Sequence, residues 1–228
     1  MPLVTESYTS QRQRWPTSGR HILAQHDERS VVVYQAYAPR IGRFAAEHRF
    51  FGGDFKLTRM SWIKPNFLWM MYRCGWATKA DQETVLAVRL RREAFESVLA
   101  RAVHSKHVPE VYGTPEDWKA EMARSDVRLQ WDPDHSPTGA PLERRAIQLG
   151  LQGETLRRYA KEWLLDIEDI TPFVQEQREH LTKDRLDQLL IPRETVFWPA
   201  DEATVKRLGL AMPPEGAQDG RARTPGSP

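Results

Sequence analysis

Apolar and polar positions alternate along this chain with a period that changes from block to block, and the changes predict its elements. Val31-Val32-Val33-Tyr34-Gln35-Ala36-Tyr37 is a continuous β-branched run ending in two aromatics, which predicts a central strand buried on both faces. Tyr34 and Ala36 then share one face, Gln35 and Tyr37 the other. Pro39 ends that strand and opens a helix over Arg40–His48, with Ile41, Phe44 and Ala45 on one side. Arg59–Lys64 reads as an extended entry to a buried helix, Pro65–Cys74, stopped at Gly75. Glu83–Leu90 alternates as a second strand, and Arg91–Val103 follows as a helix through Phe95, Val98, Leu99 and Ala102. Thr114-Pro115-Glu116-Asp117 is a helix start with a capping hydroxyl, a first-position proline and first-turn acids.

Val127–Trp131 is a further strand, Asp132–Gly139 a loop, and Arg145–Leu151 a strand of strict alternation. Its Ile147, Leu149 and Leu151 face one way, and Ala146, Gln148 and Gly150 the other. Glu154–Ile167 has the apolar stripe of an amphipathic helix, Thr171–His180 another, and Leu186, Leu189 and Leu190 close a further helical turn. Glu194–Trp198 is a last short strand. About five strands mix with about six helices without regular βαβ alternation. The expected fold is therefore α+β: a mixed β-sheet core with flanking helices in one domain, residues 1–210. Residues 1–25 read as an irregular arm, and 211–228, rich in Pro, Gly and charge, as a disordered tail.

Composition narrows the class. Hydrophobic residues make up 40% and charged residues 28% of the 228, which is the balance of a chain that folds around a core. No apolar run reaches the ~20 residues of a bilayer span, and no apolar signal core opens the chain, so the expectation is a cytoplasmic protein without a membrane partner. One cysteine, Cys74, excludes an internal disulfide. A net charge of +2 makes no global demand for nucleic acid.

The stretch Arg59–Trp76 concentrates the candidate chemistry. It holds three of the eight tryptophans, three of the six methionines and the cysteine. Arg59, Ser61, Lys64 and Asn66 surround its apolar run rather than lying on a polar face. Arg59 and Lys64 suit phosphate, Ser61 and Asn66 could orient a ligand, and Trp62 or Trp69 could stack on a flat ring. The alternative is that Lys64 and Asn66 serve the helix start and the tryptophans are core. Tyr34, Gln35 and Tyr37 at the strand end form a second candidate group. Gln148, between Ala146 and Gly150, is a third, with room for something to approach. Phosphate-loop, zinc-ligand and nucleophile-elbow patterns are missing, and no metal site is expected. Asp132, Asp134 and His135, or His104 and His107, are more simply turn and helix-end residues.

Val33–Tyr37, Arg59–Arg73 and Arg145–Leu151 together resemble the domain-of-unknown-function family numbered 4291 (DUF4291), found in bacteria and fungi, over roughly Val31 to Trp198. The order of parts is also similar to ADP-ribosyltransferases. That likeness implies a first strand whose end holds nicotinamide, a second beginning with Ser or Tyr, and a late strand carrying a catalytic Glu. By order, Gln35, Ser61 and Gln148 stand at those positions. Gln148 departs from the pattern, because an amide cannot take a proton or carry the charge that stabilises an oxocarbenium-like ribose. Either another acid, such as Glu143, serves, or the chemistry differs, or the protein only binds. The resemblance implies NAD or a related nucleotide as ligand. Tyr34, Gln35, Tyr37, Arg59, Trp62, Lys64 and Asn66 would hold it, Ser61 and Gln148 would be the catalytic positions, and a protein or nucleic acid would be the acceptor. Two other readings stay open. One is a non-catalytic nucleic-acid-binding module, in which aromatics and cations stack on bases and contact phosphates. The other is an interaction protein whose tryptophans are all core.

Overall fold

The computed structural model describes residues 3–182 and 184–212. From the N-terminus, β1 (Thr5–Ser7), α1 (Tyr8–Arg12) and β2 (Ile22–Ala24) precede the long strand β3 (Ser30–Tyr37) and helix α2 (Pro39–His48). β4 (Ser61–Ile63) leads into α3 (Phe67–Cys74). Then come β5 (Thr84–Arg91), α4 (Arg92–Ala100), β6 (Ala102–His104), α5 (Pro109–Tyr112) and α6 (Pro115–Arg124). A long hairpin of β7 (Val127–His135) and β8 (Pro141–Leu151) gives way to α7 (Gly153–Lys161), β9 (Leu164–Asp169) and α8 (Thr171–Arg178). β10 (Leu190–Pro192), β11 (Thr195–Phe197) and α9 (Glu202–Leu208) complete the described elements. The fold is α+β, as the element pattern requires.

Two sheets carry the core. One has the order β3-β5-β9 and is antiparallel; the other has the order β4-β8-β7-β6, with only β6 and β7 parallel. They meet where Tyr34 of β3 and Lys64, just past β4, exchange backbone hydrogen bonds. Tyr34 N–H donates to the Lys64 carbonyl at 2.7 Å, and Lys64 N–H donates to the Tyr34 carbonyl at 3.2 Å. The apolar run of β3 is buried on both sides, as its lack of alternation predicts. Val31 and Val33 enter one cluster with Leu86, Val88, Phe95, Leu129 and Leu149. Val32 and Tyr34 enter another with Val85, Phe67, Leu68, Met71 and Val174. The four-stranded sheet is different. Ile147, Leu149 and Leu151 of β8 are buried in the first cluster, while Gln148, Gln130 and Asp132 on its other face stay partly open.

Tertiary pairing overrides the local pattern in several places. Of the arm expected over residues 1–25, the described part from residue 3 is not irregular: β1 pairs with β10 and β2 with β11, strands from much later in the chain. Gln11, fully buried, donates its amide to the Ile191 and Pro192 carbonyls and accepts from Glu194 N–H at 2.8 Å. The helix expected over Glu154–Ile167 ends at Lys161, because Leu164–Asp169 pairs with β5 as an edge strand. The helix expected to Val103 stops at Ala100, and Ala102–His104 joins β7. β7 runs on through the predicted loop to His135, with an irregularity at Pro133, which lacks a ladder donor. Residues 184–188 are turns, not helix. α3 starts at Phe67 rather than Pro65, because the Asn66 side chain caps it by accepting from Trp69 N–H at 2.7 Å. The tail expected over 211–228 lies, beyond residue 212, outside the described residues.

α2 lies against β5 at Gly42, where an added Cβ would stand 2.4 Å from Thr84 Cγ2. Gly42→Ala is therefore expected to destabilise by about 1–3 kcal/mol through overpacking, measured by denaturant unfolding. A loss under about 0.5 kcal/mol would show that α2 can ride off β5 at little cost.

Candidate functional site

The alternation of β3 sends Gln35 and Tyr37 to the side of the first cluster, and Ser61 opens β4 facing them. Gln35 Nε2 donates to Ser61 Oγ at 2.9 Å and to the Trp62 carbonyl at 3.2 Å. Tyr37 OH and Ser61 Oγ share a hydrogen bond of 2.7 Å, and Tyr159 OH donates to Gln35 Oε1 at 2.6 Å. Burial raises the Tyr37 and Tyr159 phenols well above their ordinary value, so this network is uncharged. Among the described residues the hydrogen-bond partners of the Ser61 hydroxyl are a neutral phenol and an amide donor, and no ionisable base bonds it.

Tyr37 and Ser61 form part of the wall of a pocket of about 350 Å³, which Ala38, Ile41, Phe55 and Met60 line with apolar surface. Arg40, Lys56, Arg59, Asp54 and Asp81 supply its charges. Asp54 is held by Arg40 at 3.0 Å, while Lys56 and Arg59 have no carboxylate partner among the described residues. A larger hollow of about 880 Å³ lies between β6, α5, α6 and α9. Its lining carries four cations and four acids and none of the residues marked by the sequence, so the smaller pocket is the better candidate.

The expected single cleft does not form. Trp62 and Lys64 alternate to the opposite face of β4 from Ser61. Gln148 lies on that opposite face too, where its amide donates to Asp132 Oδ2 at 2.8 Å; Asp132 Oδ1 accepts from Gln130 at 2.7 Å. The space expected beside Gly150 is filled by Met60 and Trp62: an added Cβ would stand 2.5 Å from Met60 Sδ. Lys64 is 4% exposed. Burial and then Arg73 lower its ammonium, with Asp132 pulling the other way, to about 8.

Asn66 and Tyr34 have structural roles. Asn66 caps α3 and donates to Glu194 Oε2 at 3.1 Å, while Glu194 Oε1 accepts from Phe67 N–H at 2.6 Å. Tyr34 is fully buried with its ring edge-on to Phe67. Trp69 is buried and stacks on His135. Asp134, weighed above as a cation ligand, is taken by Arg144 in a buried ion pair, and His104 shares a hydrogen bond with Tyr112. Glu143, the alternative acid, is exposed and lies outside the pocket lining.

A family model described as a domain of unknown function (DUF4291) matches residues 21–197. The chain belongs to that family. The match begins just before β2 and ends with β11, so the DUF4291 unit takes in both sheets, the pocket wall and Glu194. A search of curated proteins finds no match. The description names no activity, so the chemistry of this DUF4291 chain rests on its own geometry.

Sequence reasoning missed Tyr159, Glu194, Lys56 and Asp132 as parts of these networks. Tyr159 reads as one more apolar position on a helix stripe, and Lys56 as a solvated lysine beside a turn. Glu194 gave a weak signal, a lone acid within the apolar stretch Leu189–Phe197.

Glu194 is 1% exposed. Burial, with Asp134 nearby, pushes its carboxyl well above the usual range against the pull of Phe67 N–H, Arg144 and Asn66. Its proton is thus held more tightly in the folded state. The contribution of this group is complete below the unfolded value of about 4.3 and is lost as pH rises through the folded value. Glu194→Gln, which cannot ionise, is expected to gain stability relative to wild type as pH climbs from about 5 to about 8. Parallel denaturation curves check this, and a constant difference between the two proteins would mean an ordinary carboxyl.

Proposed function

We propose that this protein binds a nucleotide of the NAD type in the pocket beside Ser61, as an ADP-ribosyltransferase-like binding protein. The observation that carries the reading is the composition of that pocket. Its wall offers a neutral hydroxyl pair, Tyr37 and Ser61, braced by Gln35, and its charged lining includes two cations, Lys56 and Arg59, with no ion-pair partner among the described residues. Hydroxyls and amides suit ribose and carboxamide groups, and the cations suit pyrophosphate. A pocket of about 350 Å³ takes one nucleoside with its phosphate rather than a whole dinucleotide, so the other half would lie over the rim. The resemblance read from the sequence adds support. Its first and second strands, β3 and β4, are the two that meet at the sheet junction, and β4 begins with Ser61 and leads into α3.

The reading ends at binding. Gln148, at the position where that family carries its acid, stands on the opposite face of the sheet from Ser61 and bonds Asp132. Transfer of ADP-ribose, with nicotinamide leaving, therefore has no assigned acid here. A protein or nucleic-acid acceptor belongs to that transfer step and is not assigned either.

The test is the thermal unfolding midpoint with and without millimolar NAD, ADP-ribose and nicotinamide. A ligand at about ten times its Kd raises the midpoint of a domain this size by roughly 3–6 °C. The shift is expected with NAD and ADP-ribose, and is expected to vanish in the double variant Lys56→Ala/Arg59→Ala while persisting in Lys64→Met. A flat response to all three compounds at millimolar concentration would sink the reading. Release of nicotinamide on prolonged incubation would extend it to turnover and call for a search for the missing acid among Asp54 and Asp81.

A further inference from the structure

The larger hollow, of about 880 Å³, lies at the edge of the four-stranded sheet. β6 ends that sheet, so one of its edges has no strand beside it among the described residues. At the far end this edge is covered. His104 N–H donates to Tyr112 OH at 2.9 Å, and Trp118 Nε1 donates to the His104 carbonyl at 2.8 Å. Ahead of His104, Ala102 and Val103 line the hollow, and an open strand edge is ready to pair with a further chain. Two walls rise from it. On the core side stand the ends of α4 and α9, whose Leu99 and Leu208 pack in the first cluster. On the outer side stands α6: Arg128, on the opposite sheet face from the buried Leu129, donates to the Met122 carbonyl at 2.9 Å. Neither α5 nor α6 has a buried residue, and Val111 and Tyr112 line the hollow half-buried.

The charges divide between these walls. Arg101, Lys206 and Arg207 stand on the core side and Glu110 and Asp117 on the outer side, and no ion pair crosses the hollow among the described residues. Glu121 and Arg124 neutralise each other, and Asp126 accepts from Thr155 N–H. Arg207 Nη2 donates to the Leu99 carbonyl at 3.1 Å, while its Nε is buried with no acceptor among the described residues. This wall therefore holds a donor still to be satisfied.

We propose that this hollow receives an extended peptide segment of a partner protein, added as a strand beside β6 and carrying acidic and basic side chains at alternate positions. Side chains of a strand point in turn to the two faces of its sheet. One set then meets the cationic wall at α4 and α9, and the other the acidic wall at α5 and α6. Main-chain bonds to the β6 edge supply affinity, and the walls supply specificity. A uniformly acidic or basic segment sets like charges against one wall and is rejected. The site is separate from the pocket beside Ser61 and does not rest on the nucleotide reading.

The test is fluorescence anisotropy of labelled octapeptides with the full chain in about 0.15 M salt. A peptide alternating glutamate and lysine is expected to bind. Peptides of glutamate alone or lysine alone, and the alternating peptide N-methylated on every amide, are expected to bind at least about tenfold more weakly. Lys206 and Glu110 are exposed, and neither side chain is held by a hydrogen bond or ion pair among the described residues. Lys206→Glu and Glu110→Lys are therefore surface changes that spare the fold, and each is expected to weaken the alternating peptide by about fivefold or more. Lys56→Ala/Arg59→Ala, the variant that tests the nucleotide pocket, is expected to leave its binding unchanged. No binding of the alternating peptide at millimolar concentration would overturn the proposal. Equal binding of a single-sign or the N-methylated peptide would do the same, as would indifference to both wall variants.

Discussion

Two backbone hydrogen bonds between Tyr34 and Lys64 hold the sheets together, and much of the molecule follows from them. β3 and β4 each pair fully with a neighbour in their own sheet, so the junction is the short segment where the chain passes from one ladder to the other. Because side chains alternate along a strand, fixing the register at Lys64 fixes what lies on either side of it. Ser61 is turned toward Gln35 and Tyr37. Lys64 is turned away from them, toward Asp132 and α3. A slip of one residue would exchange the two environments, burying Trp62 against Gln35 and opening Lys64 to the pocket.

The start of α3 is the second constraint on the junction. A strand that leaves its ladder at Lys64 and enters a helix at Phe67 presents free N–H groups in the interior. Asn66 satisfies one and Glu194, brought from near the far end of the family unit, satisfies another. Arg144 and Asp134 complete a polar layer there, with Arg144 also donating to the Pro16 carbonyl and lying over the Trp15 ring. The N-terminal segment that reads as a loose arm is thereby tied to both the hairpin and the chain's later strands.

Legibility in the sequence differed from residue to residue for physical reasons. β3 and β8 were readable because each strand's pattern records how many of its faces are buried, and that is a local property. Thr114 and Gly75 were readable because capping hydroxyls and left-handed glycines act within one helical turn. β9 was not: Trp163, Leu164 and Ile167 fit a helical stripe, and only the open edge of β5 decides for a strand. Among the candidate site residues, the stretch Arg59–Asn66 was correctly singled out as unusual, since polar groups inside an apolar run must find partners. Which partners they found was invisible. Asn66 meets Glu194 across 128 positions, and Tyr159 meets Gln35 across 124.

The sequence by itself determined the α+β class, the two-sided burial of β3, the alternation of β8 and the place along the chain where unusual polar groups gather. These follow from side-chain periodicity and short-range backbone preference. Only the tertiary structure decided that the gathered groups separate into a neutral pocket wall, a capped helix start and a lysine turned to the opposite face of β4. That division depends on strand register and on contacts between distant segments, and neither leaves a trace in the local order of residues.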